Sequence, residues 1–332
     1  MVPLTEKTNT NTKRKTKIGD NMKKTFFLLL LLTLLLVFFS TPSQSTTYSY
    51  YHWKQTYNVK SKTAPHYIKL LDISYGKKIS IKKTKFIKQP SHKIVPVIYL
   101  DNSVLKHENG ENLAKKLFKI LNHYQLNYDE IQIDCDWTKQ TGKAYFSFLK
   151  ALKKRSKKQL SATIRLHQVK YLKRTGVPPV DKGVLMYYNM SNFKNIETKN
   201  YILDLDLAKQ YHHNFEEYPL PLNLALPLYA QATLIRFEEV VGIIEGLRKK
   251  DLNEHFKPLK GNHYLVTKTH YLHGRLLYKD DILRLDAVTI DDLKKAVKNL
   301  KEVMKQPKEI IFYRWGNRNF YDEKDLKDVT HW

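Results

Sequence analysis

Cysteine and glycine are both scarce in this sequence, and each scarcity argues against a class of protein. The 332-residue chain has a single cysteine, Cys135, so it has no internal disulfide and depends on its core for stability. It has 11 glycines, and no glycine-rich phosphate turn follows an early strand, which argues against a dinucleotide-binding open sheet. Hydrophobic residues make up 42% of the chain, which is enough for a large folded core and too many for a disordered protein.

Acidic residues are outnumbered by basic ones, and the formal net charge is +26. Such a charge raises the possibility of a nucleic-acid or polyanion partner. The lysines are spread over the whole chain, however, and clusters such as KALKKRSKK (150–158) fall where a helix would end and positive charge is favourable. No zinc-finger, helix-turn-helix or RNA-binding motif accompanies them. A diffuse solvated surface with no nucleic-acid partner is therefore favoured, and a polyanion-binding surface is the alternative that rests on charge alone.

The segment from Met22 to Ser45 has the order of a secretory signal. Two lysines precede an apolar run, Phe26 to Phe39, and small and polar residues follow. The run is short for a membrane span of roughly 20 residues. We expect cleavage near Ser45 and export to the periplasm, cell surface or medium, without a lipid anchor and with no stable membrane span afterwards. An uncleaved anchor is the alternative, and residues 1–21 are either an upstream mis-start or an extended n-region.

Apolar strand-like runs alternate with segments of helical period after Ser45. Stripes of helical period occupy 111–124, 141–152, 236–247 and 290–304. The strand candidates are YSYYHW (48–53), YIKLLDIS (67–74), KIVPVIYLD (93–101), EIQIDCD (130–136), LSATIRL (160–166), GVLMYYNM (183–190), PLNLALPLYA (221–230) and EIIFYRW (309–315). This alternation predicts an α/β fold, a (β/α)8 TIM-like barrel over 46–332, with a doubly wound sheet as the alternative. We expect a small β-rich insertion at about 257–289, before the last helix.

The fourth strand candidate carries acids inside an apolar pattern. Because successive side chains of a strand point to opposite faces, Ile131, Ile133 and Cys135 share one face, while Gln132, Asp134 and Asp136 share the other. In a barrel the second face points inward and rises towards the mouth. Two such carboxylates lie roughly 6.6 Å apart by strand rise, and their repulsion can hold one proton on the pair. A functional cleft is one interpretation, and a purely structural hydrogen-bonded network is the other.

Every predicted strand ends in a polar or aromatic residue, which is where the functional groups of a barrel lie. These residues are Trp53, Asp72, Asp101, Asp134 with Asp136, Arg165 with His167 and Gln168, Tyr188 with Asn189, Tyr229 with Gln231, and Arg314 with Trp315. A protonated carboxyl among aromatic rings is suited to cleaving a glycosidic bond, and aromatic planes can stack on sugar rings.

These segments resemble the family 18 glycoside hydrolases, the chitinase-like barrels. DEIQIDCD (129–136) is similar to the fourth-strand motif D-G-x-D-x-D-x-E, with Asp134 at its third acid, Gln132 at its middle aspartate and Asp136 at its catalytic glutamate. MYYN (186–189) resembles the sixth-strand motif. LALPLYA (224–230) resembles the seventh-strand motif, and Trp315 is at the position where the family has a tryptophan beneath the bound sugar. The segments EIQIDCDWT, SATIRLHQ and GVPPVD also resemble a group of secreted Bacteroidetes-type barrel proteins.

The resemblance implies a secreted carbohydrate-active barrel, a candidate glycoside hydrolase with an oligo- or polysaccharide as its partner. In such a hydrolase Asp136 is the general acid and Asp134 its electrostatic partner. The expected substrate-binding residues are Gln132, Arg165, Gln168, Tyr188, Asn189, Tyr229, Trp315 and Trp53. A non-catalytic glycan-binding or cell-surface interaction protein on the same fold is the alternative. No cofactor and no metal are expected, because His270 and His273 have no further ligand pattern around them.

Overall fold

The computed structural model describes residues 46–61 and 63–332, so the signal segment expected at 22–45 lies outside the described residues. Within the part of the chain that is described, no helix is long and apolar enough to cross a membrane.

Eight parallel strands form a closed barrel, which confirms the fold class expected from the sequence. The strands are β1 (Thr47–His52), β2 (Tyr67–Tyr75), β3 (Val95–Leu100), β4 (Glu130–Asp134), β5 (Gln159–Arg165), β6 (Lys182–Met186), β7 (Leu222–Pro227) and β8 (Glu309–Tyr313). From β2 through β8, each strand pairs with the next barrel strand along the chain. Between β7 and β8 the chain forms the insertion described below. The ring closes because β1 pairs with both β8 and β2. All eight strands therefore direct their carboxyl ends to the same side of the barrel.

Helices cover the outside of the barrel. They are α1 (Val104–His107), α2 (Gly110–His123), α3 (Gly142–Ser156), α4 (Leu166–Lys170), α5 (Leu172–Thr175), α6 (Leu205–Lys209), α7 (Ile290–Lys301) and α8 (Glu323–Val329), with 3-10 turns at Lys249–Asp251 and Trp315–Phe320. The backbone N–H of Asp292 donates to the Thr289 hydroxyl over 3.1 Å, and the Thr289 N–H donates to the Asp292 carboxylate over 2.9 Å. This reciprocal pair satisfies two otherwise unpaired donors and makes the start of α7 well defined.

The chain leaves the barrel after β7 and builds an antiparallel sheet of five strands. In spatial order these are Glu239–Glu245, Gln231–Arg236, Ile282–Asp286, His263–Val266 and Phe256–Pro258, and a separate hairpin pairs His270–Leu272 with Arg275–Leu277. This β-rich region starts at Gln231, earlier than the expected position of about 257. Its apolar side chains form a hydrophobic cluster separate from that of the barrel.

The helix expected at 236–247 is wrong, because that segment is the strand Glu239–Glu245. Phe237 and Glu238 both have positive φ, and this tight turn reverses the chain so that Arg236 pairs with Glu239. Val240 and Ile244 fit a helical stripe, but in the strand Ile244 pairs with Ala232 and joins the core of the insertion, whereas a bulge in the pairing places Val240 opposite Ile235. Apolar spacing alone therefore did not distinguish the two structures.

The interior of the barrel is polar along β4, as the alternation predicts. Ile131 and Ile133 are buried on the outer face under the helices, while Gln132 and Asp134 point inward. The Tyr51 hydroxyl donates to Gln132 over 2.7 Å, and Thr163 donates to Asp134 over 2.8 Å. The buried polar side chains of this strand are therefore hydrogen-bonded from other strands of the barrel, as buried polar groups must be.

A short hairpin extends β2 beyond the barrel wall. The strand Ile79–Lys83 pairs antiparallel with the second half of β2, from Tyr75 opposite Ile79 to Leu71 opposite Lys83. Because β1 pairs only with the start of β2, this hairpin lies past the end of β1, on the side where the barrel strands end.

Candidate functional site

A cavity of about 310 Å³ opens at the carboxyl ends of the barrel strands. Its barrel-side residues are Trp53, Tyr99, Asp134, Arg165, Met186, Tyr188, Asn189, Tyr313 and Arg314, and the loops and the insertion add Phe193, Tyr201, Tyr229, Ala230, Gln231, Ile243 and Glu245. The volume lies at the lower end of the range for small-molecule sites. The insertion therefore forms one wall of a cavity whose other walls belong to the barrel.

Tyr313, the last residue of β8, is the centre of an aromatic cluster in this cavity. Its ring is stacked on Tyr188 with centroids 5.3 Å apart and an interplanar angle of 19°. Tyr229 and Trp53 both meet it edge-on at 5.6 Å. Tyr313 keeps part of its surface exposed, whereas Tyr188 is buried. The cavity thus offers flat, partly accessible aromatic surface beside polar groups.

Asp134 is the buried carboxyl of the cavity. Removal from water, followed by the nearby charge of Asp136, raises the pKa of Asp134 to about 6. The Arg165 guanidinium and the hydrogen bond from Thr163 lower the pKa of Asp134, but they do not cancel the effect of burial. Asp134 therefore changes its charge at mildly acidic pH, inside an aromatic-lined site.

Asp136 is held by Arg165 at the edge of the site. The guanidinium donates from Nε to Oδ1 over 2.7 Å and from Nη2 to Oδ2 over 3.1 Å, a bidentate pair. The Asp136 side chain is 58% exposed and is not part of the cavity lining. Burial disfavours the charged form of Arg165, but the attraction and hydrogen bonding of Asp136 outweigh this effect and raise the pKa of the guanidinium above its usual range. This bidentate pair occupies both carboxyl oxygens of Asp136.

Asn189 and Tyr229 add a second polar position. Asn189 has φ +55°, a left-handed conformation that asparagine tolerates better than most residues, and its side-chain oxygen accepts a hydrogen bond from the Tyr229 hydroxyl. Burial raises the pKa of Tyr229, so its hydroxyl stays protonated and can donate. The cavity wall thus contains five of the residues named from the sequence: Trp53, Arg165, Tyr188, Asn189 and Tyr229.

Two glutamines expected to bind substrate lie outside the cavity lining. Gln132 is fully buried below the cavity, where it accepts from Tyr51 and donates to Ser161 over 3.4 Å. Gln168 is fully buried too, because its side-chain oxygen accepts from the Arg165 backbone N–H over 2.8 Å and caps α4. Both side chains are occupied in structural hydrogen bonds and do not line the cavity.

Trp315, the residue expected to form a sugar platform, does not line the cavity. The chain enters a 3-10 turn at Trp315, and the indole packs outside the barrel against Tyr50, with ring centroids 5.3 Å apart. The Arg318 guanidinium covers its other side, 3.3 Å from the ring centroid. The aromatic residue of this strand end that reaches the cavity is Tyr313, two positions earlier.

The sequence reasoning missed Tyr313, Tyr99 and the loop residues Phe193 and Tyr201. A signal existed for the first two, because Tyr313 lies two positions before Trp315 and Tyr99 two positions before Asp101, so each shares a strand face with a residue expected at the mouth. No comparable signal existed for Phe193 and Tyr201, which lie in an irregular loop that only the tertiary fold brings to the cavity. Among residues 46–61 and 63–332, no group of three or more His, Cys, Asp and Glu side chains is arranged to hold a metal ion.

Comparison of the structure with solved structures finds related barrels. The spore cortex-lytic enzyme SleL of Bacillus cereus superposes with a TM-score of 0.52 at 12% identity, covering 87% of this chain and 75% of that one. A chitinase from Chromobacterium violaceum superposes with a TM-score of 0.52 at 8% identity, covering 86% of this chain and 98% of that one. No protein-family model matches the chain, and no curated protein sequence does. At these identities the likeness shows a shared barrel fold.

Proposed function

We propose that this protein binds a carbohydrate in the cavity at the carboxyl ends of the barrel strands. The observation that supports this most directly is the aromatic cluster around Tyr313, since flat aromatic surface beside polar groups suits the apolar face and hydroxyl rim of a sugar ring. Asn189, Tyr229 and Arg165 supply hydrogen-bonding groups around that surface. The barrel fold shared with a chitinase is consistent with such a ligand, as an analogy of fold.

Binding without hydrolysis is the better-supported form of this proposal. The bidentate ion pair with Arg165 occupies both carboxyl oxygens of Asp136, and Asp136 is not part of the cavity lining. A general acid must carry a proton at the working pH and reach the leaving oxygen. In this arrangement Asp136 would have to leave Arg165 before it could reach a ligand in the cavity, whereas glycan binding requires no such rearrangement.

Glycoside hydrolysis remains the second candidate, and Asp134 is the observation that favours it. Its pKa of about 6 lets it carry a proton in mildly acidic conditions, and it lines the cavity. In that case Asp134 is the proton-carrying group and Asp136 its electrostatic partner, which reverses the roles expected from the sequence. A substrate that displaced Arg165 would return Asp136 to the general-acid role.

A panel of soluble oligosaccharides, measured for both binding and cleavage, tests these alternatives. Under the binding proposal, wild-type protein binds at least one member without turnover, Tyr313→Ala abolishes that binding, and Asp136→Asn retains it. Turnover that falls by about 10²–10⁴-fold in Asp134→Asn or Asp136→Asn, with binding kept, establishes the hydrolase instead and identifies its acid. Binding that is indifferent to Tyr313→Ala refutes the cavity as the site.

The proposed setting of this activity is outside the cytoplasm. The signal-like order of Met22 to Ser45 supports export, and the shared segments support a relationship with Bacteroidetes-type secreted barrels. The absence of disulfides does not oppose export, because the large barrel core stabilises the chain by itself.

A further inference from the structure

The hairpin that extends β2 carries an unbalanced positive charge. Between Ile73 and Leu100 the sequence contains no aspartate or glutamate. The hairpin and the residues after it carry Lys77, Lys78, Lys82, Lys83, Lys85 and Lys88, all exposed. None of these six lysines forms an ion pair with another described residue, whereas Lys69 at the base of the hairpin is paired with Asp72 at 2.9 Å. We call residues 76–88 the basic hairpin.

The pairing register turns one side of the basic hairpin towards the cavity mouth. Asp134 is the register partner of Tyr99, and Tyr99 is the partner of Asp72, so these three residues lie side by side on the inner face of the barrel. Lys82 is the partner of Asp72 on the next strand and shares that face. The inner face of the sheet therefore continues from the cavity-lining Tyr99 across Asp72, which is paired with Lys69, to Lys82, and Lys78 lies further out at the turn.

The opposite side of the same strand has another role. Ile79 and Ile81 pack against the barrel core, and Lys83 is the register partner of Leu71 on the outer face. Lysines on exposed edge strands commonly serve only to prevent aggregation. That role would be served by lysines on either face, and it does not account for a lysine placed in line with the cavity residues.

From this arrangement we infer that the carbohydrate bound by the cavity is acidic, and that its chain runs from the cavity over Lys82 and Lys78. The inference rests on the proposed function and names its ligand class, a polysaccharide bearing carboxylate or sulfate groups. One sugar ring lies on the aromatic surface at Tyr313, and the negative groups of the following units meet ammonium groups that have no acidic partner. The net charge of +26 adds a long-range attraction for the same ligand.

Binding of matched acidic and neutral polymers tests the inference. The probes are polygalacturonate and the neutral galactan made by reducing its carboxylates, together with dextran sulfate and dextran, which separate carboxylate from sulfate recognition. The full chain is compared with Lys78→Gln/Lys82→Gln and with the control Lys83→Gln/Lys85→Gln, which removes the same amount of charge from the outer face at Lys83 and from the separate strand pair of Lys85 with Thr56. We expect an acidic polymer to bind more tightly than its neutral counterpart. We further expect a loss of about threefold to tenfold at low salt in the first variant and at most about twofold in the control.

Several outcomes overturn the inference. If the two double variants lose affinity equally, diffuse charge is responsible for the binding. If acidic and neutral polymers bind with equal affinity, the basic hairpin has no role in recognising the ligand. If duplex DNA or anionic lipid vesicles also bind, and this binding requires Lys78 and Lys82 but not Tyr313, the basic hairpin is a general polyanion surface instead. If Tyr313→Ala abolishes binding while Lys78→Gln/Lys82→Gln does not change it, the inference fails and the proposed function stands. If Tyr313→Ala has no effect on any polymer, the proposed function itself fails.

Discussion

The carboxyl of Asp134 has the most perturbed environment among the acids of the cavity. Burial raises its pKa to about 6, whereas in the unfolded chain a pKa near 3.9 is expected. An acid whose pKa is raised by folding binds more protons in the folded state between these two values. Stability contributed by this group is therefore greatest below about pH 4, falls as pH rises to about 6, and stays lower above that.

Asp134→Asn should remove the loss of stability that the ionised Asp134 causes at higher pH. Asparagine keeps an oxygen that can accept the hydrogen bond from Thr163, and it cannot ionise. We expect the variant to be more stable than the wild type at pH 7, by about 2–3 kcal/mol at most, and to differ little at pH 4. Denaturant unfolding at both pH values measures the difference. A variant that is less stable than the wild type at pH 7 would show that the Asp134 carboxylate is favourably paired rather than strained.

Trp315 and Tyr313 lie two positions apart and should respond oppositely to truncation. Trp315 is buried between Tyr50 and Arg318, so Trp315→Ala should destabilise the protein by about 3–5 kcal/mol and leave ligand affinity of the folded protein unchanged. Tyr313→Ala removes accessible surface in the cavity and should mainly reduce affinity. Thermal unfolding and ligand titration of both variants separate the two roles. Loss of affinity in folded Trp315→Ala would return that residue to the site.

At the scale of elements, one buried arginine connects the insertion to a cavity-forming loop. Arg284, on the insertion strand Ile282–Asp286, is fully buried and pairs with Asp286 at 3.2 Å. It donates to the backbone carbonyls of Asn195 over 2.7 Å and Phe193 over 3.3 Å, while Asp286 accepts from the Tyr201 N–H over 3.2 Å. Phe193 and Tyr201 both line the cavity. The shape of that wall therefore depends on a charge pair outside the barrel.

Arg284→Met should loosen this wall without unfolding the barrel. The substitution leaves Asp286 buried with no cationic partner, a change that typically costs about 3–5 kcal/mol. We expect faster hydrogen exchange in residues 190–203 and 231–286 and unchanged exchange in the barrel strands, because the insertion has its own hydrophobic cluster. The double variant Arg284→Met/Asp286→Leu, which removes both charges, should regain part of the protection against hydrogen exchange. Equal acceleration throughout the chain would mean that barrel and insertion unfold as one unit.

At the scale of the whole molecule, the prediction concerns export. Lys23 and Lys24 followed by a short apolar run predict cleavage near Ser45 and no lipid attachment, since no cysteine follows the run. Sequencing the N-terminus of protein recovered from outside the cytoplasm of the producing cell measures this directly. An intact N-terminus upstream of Met22 in a soluble cytoplasmic fraction would contradict the prediction.

The barrel itself was predictable because its signals are local. Each barrel strand was visible as a short apolar run, and the alternation along EIQIDCD assigned Gln132 and Asp134 to the inner face before any neighbour was known. The same local method failed at 236–247, where valine and isoleucine spacing fits both a helix and a strand. There the pairing with Gln231–Arg236 decided the structure.

The sequence by itself determined the fold class, the inward face of β4 and the position of the cavity at the strand ends, since these follow from side-chain periods and from the direction shared by parallel strands. Only the tertiary structure decided which groups occupy that cavity. Asp136 is paired with Arg165 from the next strand, and the pKa of Asp134 is raised because neighbouring strands exclude water from it. Tyr313 rather than Trp315 reaches the cavity because the chain turns outward after β8. Charge state and exposure depend on residues distant in sequence, so no local pattern encodes them.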